Sequence, residues 1–95
     1  MPKGYLVAHI RVQDKEAFEE FKQLSGAAIK AHNGKVLVRN PAPDHREGAA
    51  QGLAIVIEFD SIEAARAFYD SDAYSAARAV REKISQTDLI LVEGL

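Results

Sequence analysis

Two ionisable side chains, His9 and Glu58, interrupt apolar runs of the sequence. The runs, residues 5–12 and 53–59, have the β-branched and apolar composition of strands. A carboxylate next to an imidazole holds the tautomer of the ring and raises its pKa, which makes the imidazole a general base. His9 and Glu58 are therefore the candidate catalytic residues. The alternative is a buried polar pair that only adds specificity to an interface, since perturbed pairs are often structural.

Two tyrosines and two arginines are the candidate ligand-binding residues: Tyr5, Arg39, Tyr74 and Arg81. Tyr74 and Arg81 are seven residues apart in a segment with helical periodicity, so they share one flank of a helix. A guanidinium group at that place can hold a carboxylate ligand through two hydrogen bonds. Alternatively, Arg81 pairs with an acid of the chain, such as Glu93 or Glu47, and fixes a terminus.

The sequence gives no indication of a metal site or a cofactor. It contains no cysteine, and its three histidines fall on a strand, at a helix end and in a loop, without metal-ligand spacing: His9, His32 and His45. Haem is not expected either, although His9 or His32 has the chemistry to ligate iron. A glycine-rich phosphate loop and a nucleophile elbow are also missing. We expect no metal and no cofactor.

Length and charge restrict the class of protein further. The 95 residues predict one domain, 1–95, with 47% hydrophobic and 27% charged residues. Net charge is −2, and no cluster of Lys and Arg interleaves with aromatic residues, so a nucleic-acid partner is not expected. Neither a signal segment nor about 18 consecutive apolar residues are present, which argues against a membrane protein. The lack of cysteine fits a reducing compartment, and we expect a cytoplasmic location.

Strand and helix patterns alternate along the chain. Four segments have strand composition: 5–12, 35–39, 53–59 and 87–93. After the first strand, Asp14 is a good N-cap, and the helix that it starts runs to a stop at Asn33-Gly34. Apolar residues recur along that helix at helical spacing, and they predict its buried stripe: Phe18, Phe21, Leu24 and Ala28.

The second half of the chain repeats this alternation after a long loop. Residues 40–52 hold two prolines and two glycines and predict a loop, whose order the sequence leaves open. A capping-box pattern at residues 60–63 starts the next helix, which Ser71-Asp72 interrupts before a second helical piece at 73–84. The order is β-α-β-β-α-β, which predicts a ferredoxin-like α+β sandwich with both helical connections on one face of the sheet.

The opposite face of the predicted sheet is unusually apolar. Side chains alternate between faces along a strand, so the face without helices receives Tyr5, Val7 and Val56. The last strand adds two more apolar residues to it, because both of its sides are apolar: Leu89 and Leu91 on one, Ile90 and Val92 on the other. A sheet face exposed to water normally carries polar residues, and large apolar patches are seldom exposed on a monomer. We therefore predict a homodimer with twofold symmetry in which two such faces pack together. His9, Arg11 and Glu58 would then lie toward the space between the sheets.

Several segments also resemble a known family, the domain-of-unknown-function family 1330 (DUF1330). They cover nearly the whole chain: MPKGYLVAHIRVQD, NGKVLVRN, AIVIEFDSIEAARAFYDSDAYSAARAVR and LILVEG. The resemblance implies the dimeric α/β-barrel superfamily, in which two ferredoxin-like subunits pack through their sheets. Other branches include cofactor-independent monooxygenases, muconolactone isomerases and haem-binding peroxidases, whereas this family has no established activity. The chain departs from the family pattern at Phe21, often tyrosine, and at Asp60, often proline.

Two functions remain open from the sequence. The first is a small-molecule-binding homodimer or a cofactor-free enzyme, monooxygenase-like or isomerase-like, acting on a small aromatic or carboxylate metabolite. Its pocket would lie between sheet and helices or between the two subunits, because ligand pockets combine an apolar lining with few convergent polar groups. The second is a non-enzymatic dimeric module for sensing or association, whose polar interior is purely structural.

Overall fold

The computed structural model describes residues 2–49 and 51–95, so Met1, and Ala50 within the predicted loop, lie outside the described residues. The strands in the described part are β1 (Gly4–Val12), β2 (Lys35–Asn40), β3 (Leu53–Phe59) and β4 (Ser85–Glu93). The helices there are α1 (Lys15–Ala31), α2 (Ile62–Asp70) and α3 (Asp72–Ile84). Strand β4 begins two residues earlier than predicted, because Ser85 and Gln86 pair with the end of β1.

The strands form an antiparallel sheet in the order β2-β3-β1-β4. Helix α1 connects β1 to β2, and α2 and α3 connect β3 to β4. This arrangement confirms the predicted ferredoxin-like α+β fold. We call the face that packs against the helices the helix side; in β1 it carries Leu6, Ala8 and Ile10. The opposite face is the open face; in β1 it carries Tyr5, Val7, His9 and Arg11.

Helix α1 begins and ends where the sequence predicts. The Asp14 carboxylate accepts hydrogen bonds from the first-turn amides and acts as the N-cap. At the other end Asn33 has a φ of 57°, and the amide of Gly34 donates to the carbonyl of Ile29 at 2.9 Å. A left-handed residue followed by this backward hydrogen bond is the Schellman ending of a helix. A Cβ at Gly34 would lie 2.8 Å from both Ile29 and Phe59, so the turn packs closely on the core.

A single serine, Ser71, separates α2 from α3. Its hydroxyl donates to the carbonyl of Phe68 at 2.7 Å and accepts from the amide of Tyr74 at 3.2 Å. The side chain thus ends one helix and caps the next, which serine does well because its hydroxyl replaces a missing backbone partner. The cap sets the start of α3, and Tyr74 and Arg81 then fall two turns apart on its buried flank.

The core lies between the helices and the helix side of the sheet. Phe59 and Phe68 are its largest fully buried side chains, and their ring centroids are 4.9 Å apart. Each such burial stabilises the fold by about 1.5–3 kcal/mol. The predicted stripe of α1 was wrong at one position: Leu24 is 36% exposed, whereas Ser25 is buried. Leu24 lies at the edge of the apolar stripe, whereas Ser25, the next residue, is on the buried side of the helix.

An irregularity in β2 changes the face on which its last residues lie. Val36 pairs with Ile57 but Val38 pairs with Val56, so one extra residue is inserted between them. Such a β-bulge shifts the alternation of side chains by one position. Without it Arg39 would oppose Ala54 on the open face, but with it Arg39 opposes Ile55 on the helix side. The bulge therefore turns the Arg39 side chain toward the helices.

Candidate functional site

A cavity lies between the helix side of the sheet and helices α1 and α3. Its lining is mostly apolar, and the apolar residues come from α1, β1, β3 and β4: Leu6, Ala8, Ile10, Phe18, Phe21, Ile29, Leu53, Ile55, Ile57 and Leu89. The cavity volume is about 30 Å³, enough for about two waters, and the cavity opens to solvent at one end.

Arg81 is the most deeply buried charged group of this cavity. Its side chain comes from the last turn of α3, and the residue is only 4% exposed. The guanidinium carbon lies 5.9 Å from the ring centroid of Phe21 and 6.0 Å from that of Tyr74, so two aromatic rings flank the charge. Aromatic faces attract a cation but do not replace a counter-ion.

The hydrogen bonding of Arg81 is incomplete. Nη1 donates to the hydroxyl of Tyr74 at 3.3 Å, but Nε has no partner among the residues that the structure describes. No carboxylate in residues 2–49 and 51–95 forms an ion pair with it; the acids predicted as its partners, Glu47 and Glu93, do not contact it. A buried charge without a counter-ion is unusual in a folded protein, because taking it out of water costs several kcal/mol.

Tyr74 lines the same cavity and supports Arg81. It is buried against Phe68, with ring centroids 4.6 Å apart, and its hydroxyl reaches the guanidinium. Burial raises the pKa of the Tyr74 phenol above its ordinary value of 10.0, and the positive charge of Arg81 opposes that rise. The phenol is therefore neutral at physiological pH, and it presents one hydroxyl next to the cation.

Arg39 and Lys22 lie at the solvent-exposed edge of the cavity. Arg39 reaches it because of the bulge in β2, and Lys22 comes from α1, where it also pairs with Glu19 at 3.1 Å. Together with Arg81 they make the charged lining of the described cavity entirely positive: no aspartate, glutamate or histidine of the described residues lines it. The site therefore favours a negative group and lacks an obvious base.

The structure does not bring the predicted catalytic pair together. His9 and Glu58 both lie on the open face of neighbouring strands, as predicted, but His9 is opposite Ala54, four residues away from Glu58 along β3. At about 3.4 Å per residue, and with the spacing between the strands added, the two side chains start roughly 14 Å apart. His9 is instead opposite Asp88 on β4, and its Nδ1 is buried without a partner among the described residues.

Glu58 pairs with Tyr5 instead. The two residues are directly opposite across β1 and β3, and the phenol donates to the Glu58 carboxylate at 3.2 Å. Removal from water and this hydrogen bond raise the pKa of the Tyr5 phenol. Tyr5 therefore lies on the open face, on the other side of the sheet from Arg39, Tyr74 and Arg81. The predicted site residues form two separate groups.

Two polar residues of the cavity lining, Lys22 and Ser25, were not predicted as site residues; both lie on α1. Phe18, which also lines the cavity, was expected only as part of the core. Ser25 has the clearest signal in the sequence, because it lies four residues after Phe21 and so on the same helix face. A small polar residue at a buried helix position leaves space next to it, which is where the cavity lies.

The described residues show neither a metal cluster nor a membrane-spanning helix. In residues 2–49 and 51–95 no group of three or more His, Asp or Glu side chains is arranged to hold a metal ion. His32 Nδ1 donates to the carbonyl of Ala28 at 3.0 Å and His45 Nε2 to that of Gly48 at 2.8 Å. In the same residues each helix is too short or too polar to cross a bilayer.

The chain belongs to the DUF1330 family. The family model, described as a domain of unknown function, matches residues 3–95, which confirms the resemblance read from the sequence. No protein with a curated description matches the chain.

Solved structures with the same fold include proteins of unknown function and an oxygenase. A protein of unknown function from Rhodopseudomonas palustris is 16% identical, with a TM-score of 0.74 over 99% of this chain and 83% of that one. SnoaB, a cofactor-independent oxygenase from Streptomyces nogalater, is 10% identical, with a TM-score of 0.70 over 97% and 92%. A dimeric ferredoxin-like protein of unknown function from Bacteroides fragilis is 12% identical, with a TM-score of 0.64 over 96% and 95%. At these identities the likeness shows the fold alone.

Proposed function

We propose that this protein binds a small organic molecule in the cavity between its helices and its sheet. The observation that carries the proposal is the Arg81–Tyr74 pair, buried in a lining that is otherwise mostly apolar. Ligand pockets have this composition: an apolar wall with a few polar groups that converge on one point. Water molecules in the cavity would leave on binding, and the long side chains of Lys22 and Arg39 can move to admit a ligand.

A thermal-shift screen against a metabolite library tests this proposal. We expect reproducible stabilisation of the wild-type protein by a subset of compounds, because a ligand that binds only the folded state raises its stability. The Ser25→Leu variant fills part of the cavity and should lose these shifts. Gln23→Leu adds the same side chain at an exposed position of α1 and should keep them. Shifts that survive in Ser25→Leu, or a library without any stabilising compound, would refute binding in this cavity.

Catalysis without a cofactor is the second candidate. The observation in its favour is again Arg81, because a buried cation stabilises a phenolate or an enolate formed from a bound substrate. The described lining contains no carboxylate or histidine to take the proton, and the raised pKa of Tyr74 keeps that phenol protonated, so it does not act as the base. Binding therefore has more support than proton abstraction. Oxygen uptake or isomerisation of a compound found in the screen, lost in Arg81→Lys, would favour catalysis.

We also propose that two copies of the chain pack through their open faces. Ile90 is 59% exposed, Val92 43% and Val38 40%, and Val7 and Val56 lie between them on the central strands. A second copy would cover these side chains, and twofold symmetry would bring the same patch from both subunits together. The similarity to a dimeric ferredoxin-like protein is consistent with this assembly.

The lack of cysteine fits a reducing compartment, so the cytoplasm remains the expected location.

Light scattering of Ile90→Glu tests the dimer. Twofold symmetry places two new carboxylates in one interface, and the loss of about 1–2 kcal/mol of apolar burial per subunit would weaken association by about 30- to 1,000-fold. The control is Leu24→Glu, which makes the same kind of change on the exposed side of α1. A wild-type chain of 10.4 kDa at all concentrations would refute the dimer. An Ile90→Glu variant that remains as dimeric as the wild type would refute this interface.

The alternative of a dimeric module with a purely structural interior has less support. A structural arginine is expected to pair with an internal acid, and Arg81 has no such partner among the described residues. A library screen without any stabilising compound would restore this alternative.

A further inference from the structure

We infer that the ligand of this cavity carries a carboxylate, which binds side-on to the Nε–Nη2 edge of Arg81 while the rest of the molecule lies on the apolar floor. The inference rests on the proposed binding function and adds the chemical class of the ligand and its orientation.

The free edge of the guanidinium is the first argument. Arginine presents five N–H groups in one plane, arranged on edges that each hold two parallel donors. Nη1 lies on the same side as Cδ and is occupied by the hydroxyl of Tyr74. Nε and Nη2 make up the other edge, where Nε is buried and neither nitrogen has a partner among the described residues. Two parallel donors at this spacing match the two oxygens of a carboxylate.

The distribution of charge is the second argument. The positive groups of the described lining run from buried Arg81 to exposed Arg39 and Lys22, and no negative side chain of the described residues lines the cavity. A cationic ligand would therefore meet only repulsion. A neutral ligand would leave the charge of Arg81 without a counter-ion, whereas an anion supplies one in a place where water does not screen the attraction.

The apolar floor is the third argument and restricts the rest of the ligand. Leu6, Ile10, Ile57 and Leu89 contribute no polar side-chain group, so they suit a hydrocarbon or aromatic body. A ligand with one anionic group and an apolar remainder therefore fits both the Arg81 cation and the apolar lining. A group with two negative charges, such as a phosphate monoester, would bring an extra charge into a space that offers one deeply buried cation.

The test compares carboxylates with amides of the same shape. The probes are benzoate and benzamide, phenylacetate and phenylacetamide, and isovalerate and isovaleramide. The first readout is the affinity from isothermal titration. We expect each carboxylate to bind about 10- to 100-fold more tightly than its amide, the range that hydrogen bonds to a charged group provide. The second readout is the Nε–H resonance of Arg81 in the ¹⁵N-labelled wild-type protein, which should move further with the carboxylates than with the amides at equal concentration.

Two variants assign the effect to this arginine. Arg81→Lys keeps the charge but removes the two-donor edge, so it should lose most of the preference for carboxylates and also identify the Nε–H resonance by its absence. Arg78→Gln is the matched control, because Arg78 lies on the same helix but stacks on Tyr69 and pairs with Glu82 away from the cavity. It should bind as the wild type does.

The outcomes separate the class of ligand from the existence of the site. If carboxylates and amides bind equally well, or if only amides bind, the carboxylate inference is overturned and the binding function stands. If none of the three carboxylates binds or moves the Arg81 resonance, the inference is also overturned, and the library screen with Ser25→Leu decides the binding function separately. A preference for carboxylates that persists in Arg81→Lys would place the anion elsewhere and contradict the inference.

Discussion

Replacing Arg81 with methionine should make the protein more stable while it abolishes binding. Methionine has a similar length and is flexible enough to occupy the space between the rings of Phe21 and Tyr74. In the wild-type protein the burial of the cation costs several kcal/mol. The hydrogen bond to Tyr74 returns about 1.5–3 kcal/mol and the two rings about 0.5–2 kcal/mol. The unpaired edge leaves the balance unfavourable, because no described carboxylate forms an ion pair with Arg81.

We therefore expect Arg81→Met to raise the free energy of unfolding by about 1–3 kcal/mol, in line with buried charges replaced by apolar side chains. For a domain of this size that corresponds to a rise in Tm of about 5–15 °C. Urea and thermal unfolding at one fixed protein concentration measure the change, since association also affects apparent stability. In parallel, the variant should show no stabilisation by compounds that stabilise the wild type.

Two controls accompany this measurement. Arg78→Met removes a half-buried arginine of the same helix that already has partners in Glu82 and Tyr69, so it should not be stabilised. Arg81→Lys keeps a buried charge and should not be stabilised. A loss of more than about 1 kcal/mol in Arg81→Met would refute the reasoning, because such losses follow when a satisfied network is broken.

Three further predictions concern single positions. Because the pKa of Tyr74 is raised in the folded state, unfolded chains release this proton first. The contribution of Tyr74 to stability should therefore be fully present below pH 10.0 and be lost as the pH rises above it. The fall above pH 10.0 should be smaller in Tyr74→Phe, measured by urea unfolding against pH. Asn33→Ala should cost about 1–2 kcal/mol because of its positive φ, whereas Asn33→Gly should cost little or stabilise; equal effects of both would contradict the helix ending. Gly4→Ala should reduce stability strongly, since its Cβ would overlap the backbone of Ser61; circular dichroism that shows unchanged thermal unfolding would contradict this contact.

The order of elements could be predicted from the sequence because each one carries a local signal. Alternating apolar residues define the strands, and Asp14, Asn33 and Ser71 provide helix ends whose hydrogen bonds involve only near neighbours. The i, i+7 relation between Tyr74 and Arg81 is also local, since it depends only on the pitch of one helix. That part of the site was therefore predictable.

The relation between strands could not be predicted in the same way. Alternation places His9 and Glu58 on one face, but their separation depends on which residue of β3 lies opposite His9. The pairing of whole strands sets that register. Knowing that two strands are neighbours therefore did not show which of their residues lie opposite each other. The actual neighbour of Glu58 is Tyr5, and the actual neighbours of His9 are Ala54 and Asp88.

The bulge in β2 had the largest effect on the site. A regular strand starting from Lys35 would place Arg39 on the open face, whereas the extra residue between Val36 and Val38 places it on the helix side. The sequence Lys-Val-Leu-Val-Arg contains no glycine or other residue that would indicate the insertion. Arg39 was a candidate on the basis of its charge, and only the paired structure assigns it to the cavity of Arg81.

The most direct measurement of the central claim is a crystal structure of the protein with the strongest ligand from the carboxylate series or the library. The account predicts the ligand between α1, α3 and the sheet, with two oxygens within hydrogen-bond distance of Arg81 Nε and Nη2, and with its apolar part on Leu6 and Ile57. A ligand bound on the open face near Tyr5 and Glu58, with the guanidinium of Arg81 paired to an acid of the chain, would contradict it.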